Sequence, residues 1–385
     1  MGNNIQKLAA TTTLIPPCNP STQTSGVCFM QNVKITLVDL SVEVSETSEI
    51  DDSLRRYIDT NILSSARTAQ QDLSFRLDTL IEKDKEEEST DEDVGERLRK
   101  KIFRFVRCKD RYSALTSLLL KSWGYYQAYH VTKNATGDLE KLPNPVIDLP
   151  RTEKGKPYIP TASPGGKLSE SRHSMNVSHQ HPFAGMAQLN PSEDENGKVG
   201  FDIVTFDGIN TRLYNTVRDF LEVFRSTFTD WEWNKILSKE RVAGEATLIE
   251  FYLRWSIKEA YTKALGEGMN LDFKTFETRL QGIDDDDQDL WKTVLQSGKE
   301  KGFMVKGTIS LDINSRNERT EDVDLFFLAI EGNDDGGKGY LGCATVCLAP
   351  SGSHKNDGDD HFPGINWMTL ESLVAWHSNT EIRRK

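Results

Sequence analysis

Residues 255–268 read Trp-Ser-Ile-Lys-Glu-Ala-Tyr-Thr-Lys-Ala-Leu-Gly-Glu-Gly. The middle of this run is helical by composition, and Gly266 and Gly268 mark where the helix stops. Glu259 and Lys263 stand four apart, so they share one helical face with Trp255 a turn earlier. Taken alone, such a pair is an ordinary surface contact worth about 0.2–0.5 kcal/mol. A carboxylate and an ammonium above a glycine turn can also hold a metal–phosphate pair, and the rest of the chain decides between these readings.

The 385 residues, 37% hydrophobic and 28% charged, suffice for a sizeable core divided into two halves. A mean hydropathy of −0.54 argues against a membrane span. The N-terminus lacks the basic-then-apolar layout of a signal peptide, and Gln6 stands where myristoylation needs Ser or Thr. Cys18, Cys28, Cys108, Cys343 and Cys347 are odd in number and scattered, the pattern of free thiols in a reducing compartment. A cytoplasmic protein is expected, in which the sequons at Asn134 and Asn176 carry no glycan.

A net charge of −12 argues against general nucleic-acid binding. The charge is uneven. Residues 82–96 and 284–289 are acidic blocks expected as solvated surface loops, whereas residues 97–111 (RLRKKIFRFVRCKDR) are densely basic. A cationic strip within an acidic protein suggests a specific anion site.

Residues 1–30, rich in Thr, Ser, Pro and Asn, are expected to be a disordered arm. Strand-like alternation occupies 33–44, and helical spacing occupies 50–82 and about 96–130. A Pro-rich connection over 143–164 leads to short apolar runs at 175–178 and 184–189, then a strand at 199–205. Helices are expected at 212–228, 230–240 and 245–265, and strands at 303–313, 323–331 and 339–348. Strand, helices and strands therefore occur twice, as in a loosely duplicated α/β unit.

Three further islands carry chemistry. Arg151-Thr-Glu-Lys-Gly-Lys-Pro157 places Arg151, Lys154 and Lys156 around a glycine turn that can wrap a phosphate or an adenine. Asn176-Val-Ser-His-Gln180 offers the Ser178 hydroxyl and the His179 imidazole at a strand end. In Val199-Gly-Phe-Asp-Ile-Val204, Asp202 points opposite to Phe201 and Ile203. An acid among apolar neighbours is costly unless it is paired or bound to metal. Asp202 and Glu259 together make a hard two-carboxylate site of the kind Mg²⁺ completes with substrate phosphates and waters.

The ordered set R-T-x-K-G-K-P (151–157), N-x-S-H-Q (176–180), V-G-x-D-I (199–203), F-T-x-x-E (228–232) and W-S-x-K-E-A-x-x-K-A-x-G-x-G (255–268) resembles the Sfp-type 4′-phosphopantetheinyl transferases. It is most similar to their eukaryotic cytosolic members, including the fungal enzymes of lysine biosynthesis, over residues 95–270. The resemblance implies a mixed α+β fold of two similar, pseudo-twofold subdomains in one monomeric chain, at 31–198 and 199–385, with the active site between the halves. It puts the metal on Asp202 and Glu259, the diphosphate on Lys263, and a phosphate-contacting pair on Ser178 and His179. Arg151, Lys154 and Lys156 fall in the coenzyme A loop. Arg104-Phe105 and Asp110 match a segment whose cations reach the 3′-phosphate, a role open here to Arg97, Lys101 or Lys109. Phe228-Thr229 and Glu232 match the helix motif between the metal ligands. Many bacterial members carry a second acid two positions after the metal aspartate. That position here is Val204, which cannot bind a metal.

The implied reaction moves 4′-phosphopantetheine from coenzyme A, the co-substrate, to a serine of an apo acyl or peptidyl carrier domain, aminoadipate reductase included. Mg²⁺ assists, and adenosine 3′,5′-bisphosphate leaves. Glu259, directly or through a metal-bound water, is the first choice of base, with Lys263 the alternative. The competing readings are a Mg²⁺-dependent phosphodiesterase and a non-catalytic carrier-binding module.

Overall fold

The computed structural model describes residues 33–40, 55–56, 94–130, 147–162, 168–189, 197–238, 244–297, 302–313, 319–333, 339–351 and 362–378. The expected arm at 1–30, almost all of the helix at 50–82 and the acidic block as far as residue 93 lie outside this set, as does Asn134.

The described residues form two compact units, one drawn from 34–195 and 365–378, the other from 196–364. Within the first unit, β1 (Val33–Asp39), α1 (Val94–Phe103) and α2 (Cys108–His130) precede β2 (Tyr158–Ala162), β3 (Leu168–Gln180) and β4 (Phe183–Leu189). In the second, β5 (Lys198–Thr205) leads to α3 (Val217–Glu222), α4 (Asp230–Leu237) and α5 (Gly244–Leu265). Then follow β6 (Phe276–Leu280), α6 (Leu290–Gln296), β7 (Phe303–Leu311), β8 (Arg319–Asn333) and β9 (Gly339–Ala349). The last described elements are β10 (Gly364–Thr369) and α7 (Leu370–Ser378).

Each unit holds one five-stranded sheet, in the orders β10-β1-β4-β3-β2 and β5-β9-β8-β7-β6. A long helix packs on each, α2 on β3 and β4 and α5 on β5 and β9. The mixed α+β architecture is therefore duplicated, and strand, helices and strands recur in the expected order.

Residues 365–378 depart from the expected boundary at 199–385. β10 is the edge of the first sheet, beside β1. Leu370 and Leu373 of α7 join the core of α2 and β4, and the His377 ring contacts the Leu119 carbonyl at 3.0 Å. The terminal segment buries its apolar face in the first unit, which sequence order alone cannot reveal.

Several boundaries also differ. The helix expected over 96–130 breaks between α1 and α2, where the Phe105 carbonyl leaves the helical ladder and accepts a bond from Arg111 Nε at 2.8 Å. The helix expected at 212–228 shrinks to α3, opened by a reciprocal Thr216–Asp219 capping box, and a 3₁₀ turn at Arg225–Thr227. The strand β6, only five residues long, was not foreseen. Asn176 lies in β3, paired with Ala187 and buried, so it is not a surface loop.

The second acidic block is not wholly a solvated loop. Asp285, Asp286 and Asp287 are exposed, but Asp284 is buried. It accepts Arg254 Nη2 at 2.7 Å and the Leu280 amide at 2.7 Å, while Arg254 also meets Glu250 at 3.0 Å. One acid of the run thus ties the β6 turn to α5.

Candidate active site

The strand β5 is buried along Val199–Thr205, and on one face Gly200, Asp202 and Val204 alternate toward α5. A Cβ at Gly200 would sit 1.8 Å from the Ala260 carbonyl oxygen and 2.5 Å from the Ala264 amide nitrogen. Helix and strand backbones touch there because position 200 has no side chain and α5 offers alanines opposite it. Asp202 lies two residues along that face, beside Glu259 and Lys263, each of which precedes one of the two alanines. Gly200 therefore sets the distance across which the acid on the strand meets the charges on the helix.

The result is compact. Lys263 Nζ donates to Asp202 Oδ1 at 2.5 Å and stands 4.0 Å from Glu259 Oε2. Burial raises the Glu259 carboxyl above the usual carboxylate range, the Lys263 ammonium opposes that rise, and Asp202 adds to it. Asp202 is 5% exposed, and Val204 beyond it is packed into the apolar core. The α5 terminus is as expected. Gly266 at φ +76° passes its amide to the Lys263 carbonyl, and the Glu267 amide bonds to that of Thr262, a Schellman pair that fixes the turn below Lys263.

Two carboxylates around one ammonium carry net negative charge and are hard oxygen donors. They fit a divalent cation such as Mg²⁺, which takes one or two carboxylates and fills its remaining positions with phosphate oxygens and water. No cluster of three or more Asp, Glu, His or Cys suited to a metal occurs among the described residues. The donor set is thus of the kind that a diphosphate completes.

The F-T-x-x-E motif proves to be architecture. Thr229 caps α4 and Glu232 completes the box. The same Glu232, buried, accepts the Thr278 amide of β6 at 3.0 Å and pairs with Lys258 Nζ at 2.9 Å. Lys258, beside Glu259 on α5, also donates to the Phe273 and Phe276 carbonyls at 2.8 and 2.7 Å. Burial pulls the Lys258 ammonium below its usual range, and Glu232 opposes that. The sequence assigns Lys258 no role, although the capping box in the motif just upstream, F-T-x-x-E, is a usable sign of its partner. Lys258→Met strands Glu232 without a counter-charge and is expected to cost about 3–5 kcal/mol. A denaturation midpoint like that of the wild type would contradict this. Trp255, on the site face by spacing, instead packs with Phe224, Phe251 and Phe273.

In the first unit the Arg151–Pro157 turn closes as an antiparallel bridge. Thr152 and Lys156 exchange backbone and hydroxyl bonds, and Arg151 Nη1 donates to the Gly155 carbonyl at 2.9 Å. Lys154 is exposed at the tip, and Lys156 Nζ reaches Ser174 Oγ at 3.5 Å. Lys101 Nζ meets Asp148 at 2.6 Å, with Arg97 3.6 Å from the same carboxylate oxygen. Half-buried Lys121, which the sequence did not single out, is lowered to about 8, first by burial and then by Arg151, with Asp148 opposing. Arg97, Lys101, Lys121 and Arg151 thus form a cationic neighbourhood around one acid, suited to an anion. Lys109 lies in the first turn of α2. Much of the basic strip is structural: Arg99 and Arg111 lie 5.4 and 5.8 Å from the Phe103 ring, and Arg104 lies 4.8 Å from Phe105.

The expected Ser178–His179 pair does not share a face. Ser178 is buried and His179 exposed, their side chains projecting to opposite faces as those of successive strand residues do. The hydroxyl at the His179 ring is that of Ser117, from α2, at 3.1 Å.

The fold and the site set the class: a duplicated α+β protein in which a strand acid meets an acid–lysine pair on a helix. The comparisons make the class specific. Residues 198–298 match the family model described as the 4′-phosphopantetheinyl transferase superfamily, and residues 90–190 the one described as 4′-phosphopantetheinyl transferase, N-terminal. Together these spans cover just over half of the sequence, and the chain belongs to the 4′-phosphopantetheinyl transferase superfamily.

Among its relatives, an L-aminoadipate-semialdehyde dehydrogenase-phosphopantetheinyl transferase of Xenopus laevis is 28% identical over 186 residues, 48% of this chain and 53% of that protein. The protein of that name in Homo sapiens is 26% identical over 197 residues, 50% and 55% of the two chains. A phosphopantetheinyl transferase of Thraustochytrium is 33% identical over 125 residues, 32% and 39%. The chain spans about half the length of the curated relatives it matches. No helix among the described residues is long and apolar enough to cross a membrane.

Proposed function

We propose that this chain transfers the 4′-phosphopantetheine arm of coenzyme A to a serine hydroxyl of an apo carrier protein. The observation that carries the proposal is the Asp202–Lys263–Glu259 constellation, brought together by the contact of Gly200 with α5. The serine Oγ bonds to the phosphorus that bears the pantetheine, the P–O bond to the nucleotide breaks, and adenosine 3′,5′-bisphosphate departs. Glu259 takes the serine proton. Its raised carboxyl makes it a stronger base than a solvent-exposed carboxylate. Lys263 offers its ammonium to the diphosphate oxygens, where negative charge builds. Mg²⁺, when bound at Asp202 and Glu259, would neutralise further charge on the diphosphate. Arg151, Lys154, Lys156 and Lys101 are assigned to coenzyme A, now with Lys121, because the turn and the cationic neighbourhood present donors to phosphate, and Lys109 and His179 join them on the family resemblance. Aminoadipate reductase is a candidate carrier, in keeping with the names of the relatives. The proposed enzyme acts as a cytoplasmic monomer.

Asp202→Ala removes both a proposed metal ligand and the partner of Lys263. With coenzyme A, Mg²⁺ and an apo carrier, the wild type is expected to convert the carrier to its phosphopantetheine adduct, read by intact mass. The variant is expected to lose at least about a hundredfold in rate while staying folded. Undiminished transfer by the variant would remove Asp202 from the site.

A further inference from the structure

The ring of His179 is held by a second element. Ser117 Oγ lies 3.1 Å from His179 Nδ1, and the same oxygen donates to the Ser113 carbonyl one helical turn back, at 2.8 Å. A serine hydroxyl has one proton. The Ser113 carbonyl can only accept, so both contacts of Ser117 Oγ are hydrogen bonds together only when its proton goes to that carbonyl and His179 Nδ1–H donates to Oγ. Both bonds follow from the fold: Ser117 is buried on α2, which packs across β3, and α2 recycles such hydroxyls to carbonyls four residues back at Thr116 and Ser122 as well.

The consequence reaches the chemistry of the exposed ring. With Nδ1 protonated, the neutral imidazole has only a lone pair at Nε2. An anionic oxygen accepts and cannot donate, so Nε2 can bond to it only when protonated, that is, as the imidazolium. We infer that Ser117 is a positioning residue for His179: it fixes the ring orientation and the Nδ1–H tautomer, so that His179 meets a phosphate oxygen only as a cation. The phosphate assignment rests on the proposed transferase reading, whereas the tautomer assignment does not. In the sequence the two residues stand in unrelated segments, and nothing in the His179 motif pointed to Ser117.

Nitrogen NMR of the full chain, ¹⁵N-labelled at its seven histidines, tests this directly, with the His179 signals identified by their loss in His179→Gln. At pH about 9, well above the ordinary imidazole value of ~6.5, the wild type is expected to show the Nδ1–H pattern. Ser117→Ala removes one oxygen from a helix and should release the ring to the Nε2–H form that free imidazole favours. Ser117→Thr, which keeps the hydroxyl, should restore Nδ1–H. Coenzyme A affinity, measured by calorimetry, is expected to weaken about three- to tenfold in Ser117→Ala and to recover in Ser117→Thr. An Nε2–H wild type, or an Nδ1–H pattern that survives in Ser117→Ala, would overturn the inference. An Nδ1–H wild type that binds no coenzyme A would uphold the tautomer and overturn the transferase reading instead.

Discussion

Glu259→Gln is expected to lower the transfer rate by about 10²–10⁴-fold, the range for loss of a positioned general base, without loss of stability. Glutamine keeps the size and removes both the charge and the basicity. The sign of the stability effect follows from the carboxyl shift. Burial raises the folded-state value above the ordinary carboxyl value, so the folded protein binds this proton more tightly than the unfolded chain does. That stabilisation is fully present below the unfolded value and is lost as pH rises through the folded one. Above the raised folded value the wild type carries an ionised group that its surroundings disfavour, and glutamine removes the penalty. A thermal midpoint equal to or above that of the wild type, measured without added metal above the raised Glu259 value, should accompany the lost activity. Near-normal turnover by Glu259→Gln would eliminate the base role.

The second large effect concerns a residue that does no chemistry. Gly200→Ala places a carbon 1.8 Å from the Ala260 carbonyl oxygen and 2.5 Å from the Ala264 nitrogen. Both obstacles are backbone, so no side chain can swing aside. α5 must move off β5, at the cost of contacts with Ala260 and Ala264 in the core. A destabilisation of about 3 kcal/mol or more is expected. Any folded remainder should be inactive, since the shift separates Asp202 from the Lys263 ammonium it meets at 2.5 Å. Denaturation and transfer assays on the variant read the two effects separately. A variant with wild-type stability and wild-type transfer would show that the contact with Gly200 does not set the site.

Much of this was legible in the sequence because the signals were local. The run 255–268 gave the Schellman stop at Gly266, and the alternation around Asp202 gave its face on the strand. The strand–helices–strands order foreshadowed two sheets with a long helix on each. What stayed hidden depends on contacts between distant segments. The position of Gly200 within V-G-x-D-I was visible, but its role needs the alanines of α5 opposite it. Lys258 adjoins Glu259 in sequence and lies instead in a buried pair with Glu232. Asp284 looked like one more acid in a solvated run and is the partner of Arg254. The resemblance pairs Ser178 with His179, although the period of two along a strand sends consecutive side chains to opposite faces. Residues 365–378 follow the second unit in sequence and belong to the first because β10 borders β1.

The most direct test of the account separates transfer from cleavage. Wild-type protein is incubated with coenzyme A and Mg²⁺, with and without an apo carrier, and both carrier mass and released nucleotide are followed. The account predicts one phosphopantetheine on the carrier serine for each adenosine 3′,5′-bisphosphate released, and no nucleotide release when the carrier is omitted. Release of the nucleotide without a carrier, with no adduct when one is present, would contradict it and identify a phosphodiesterase.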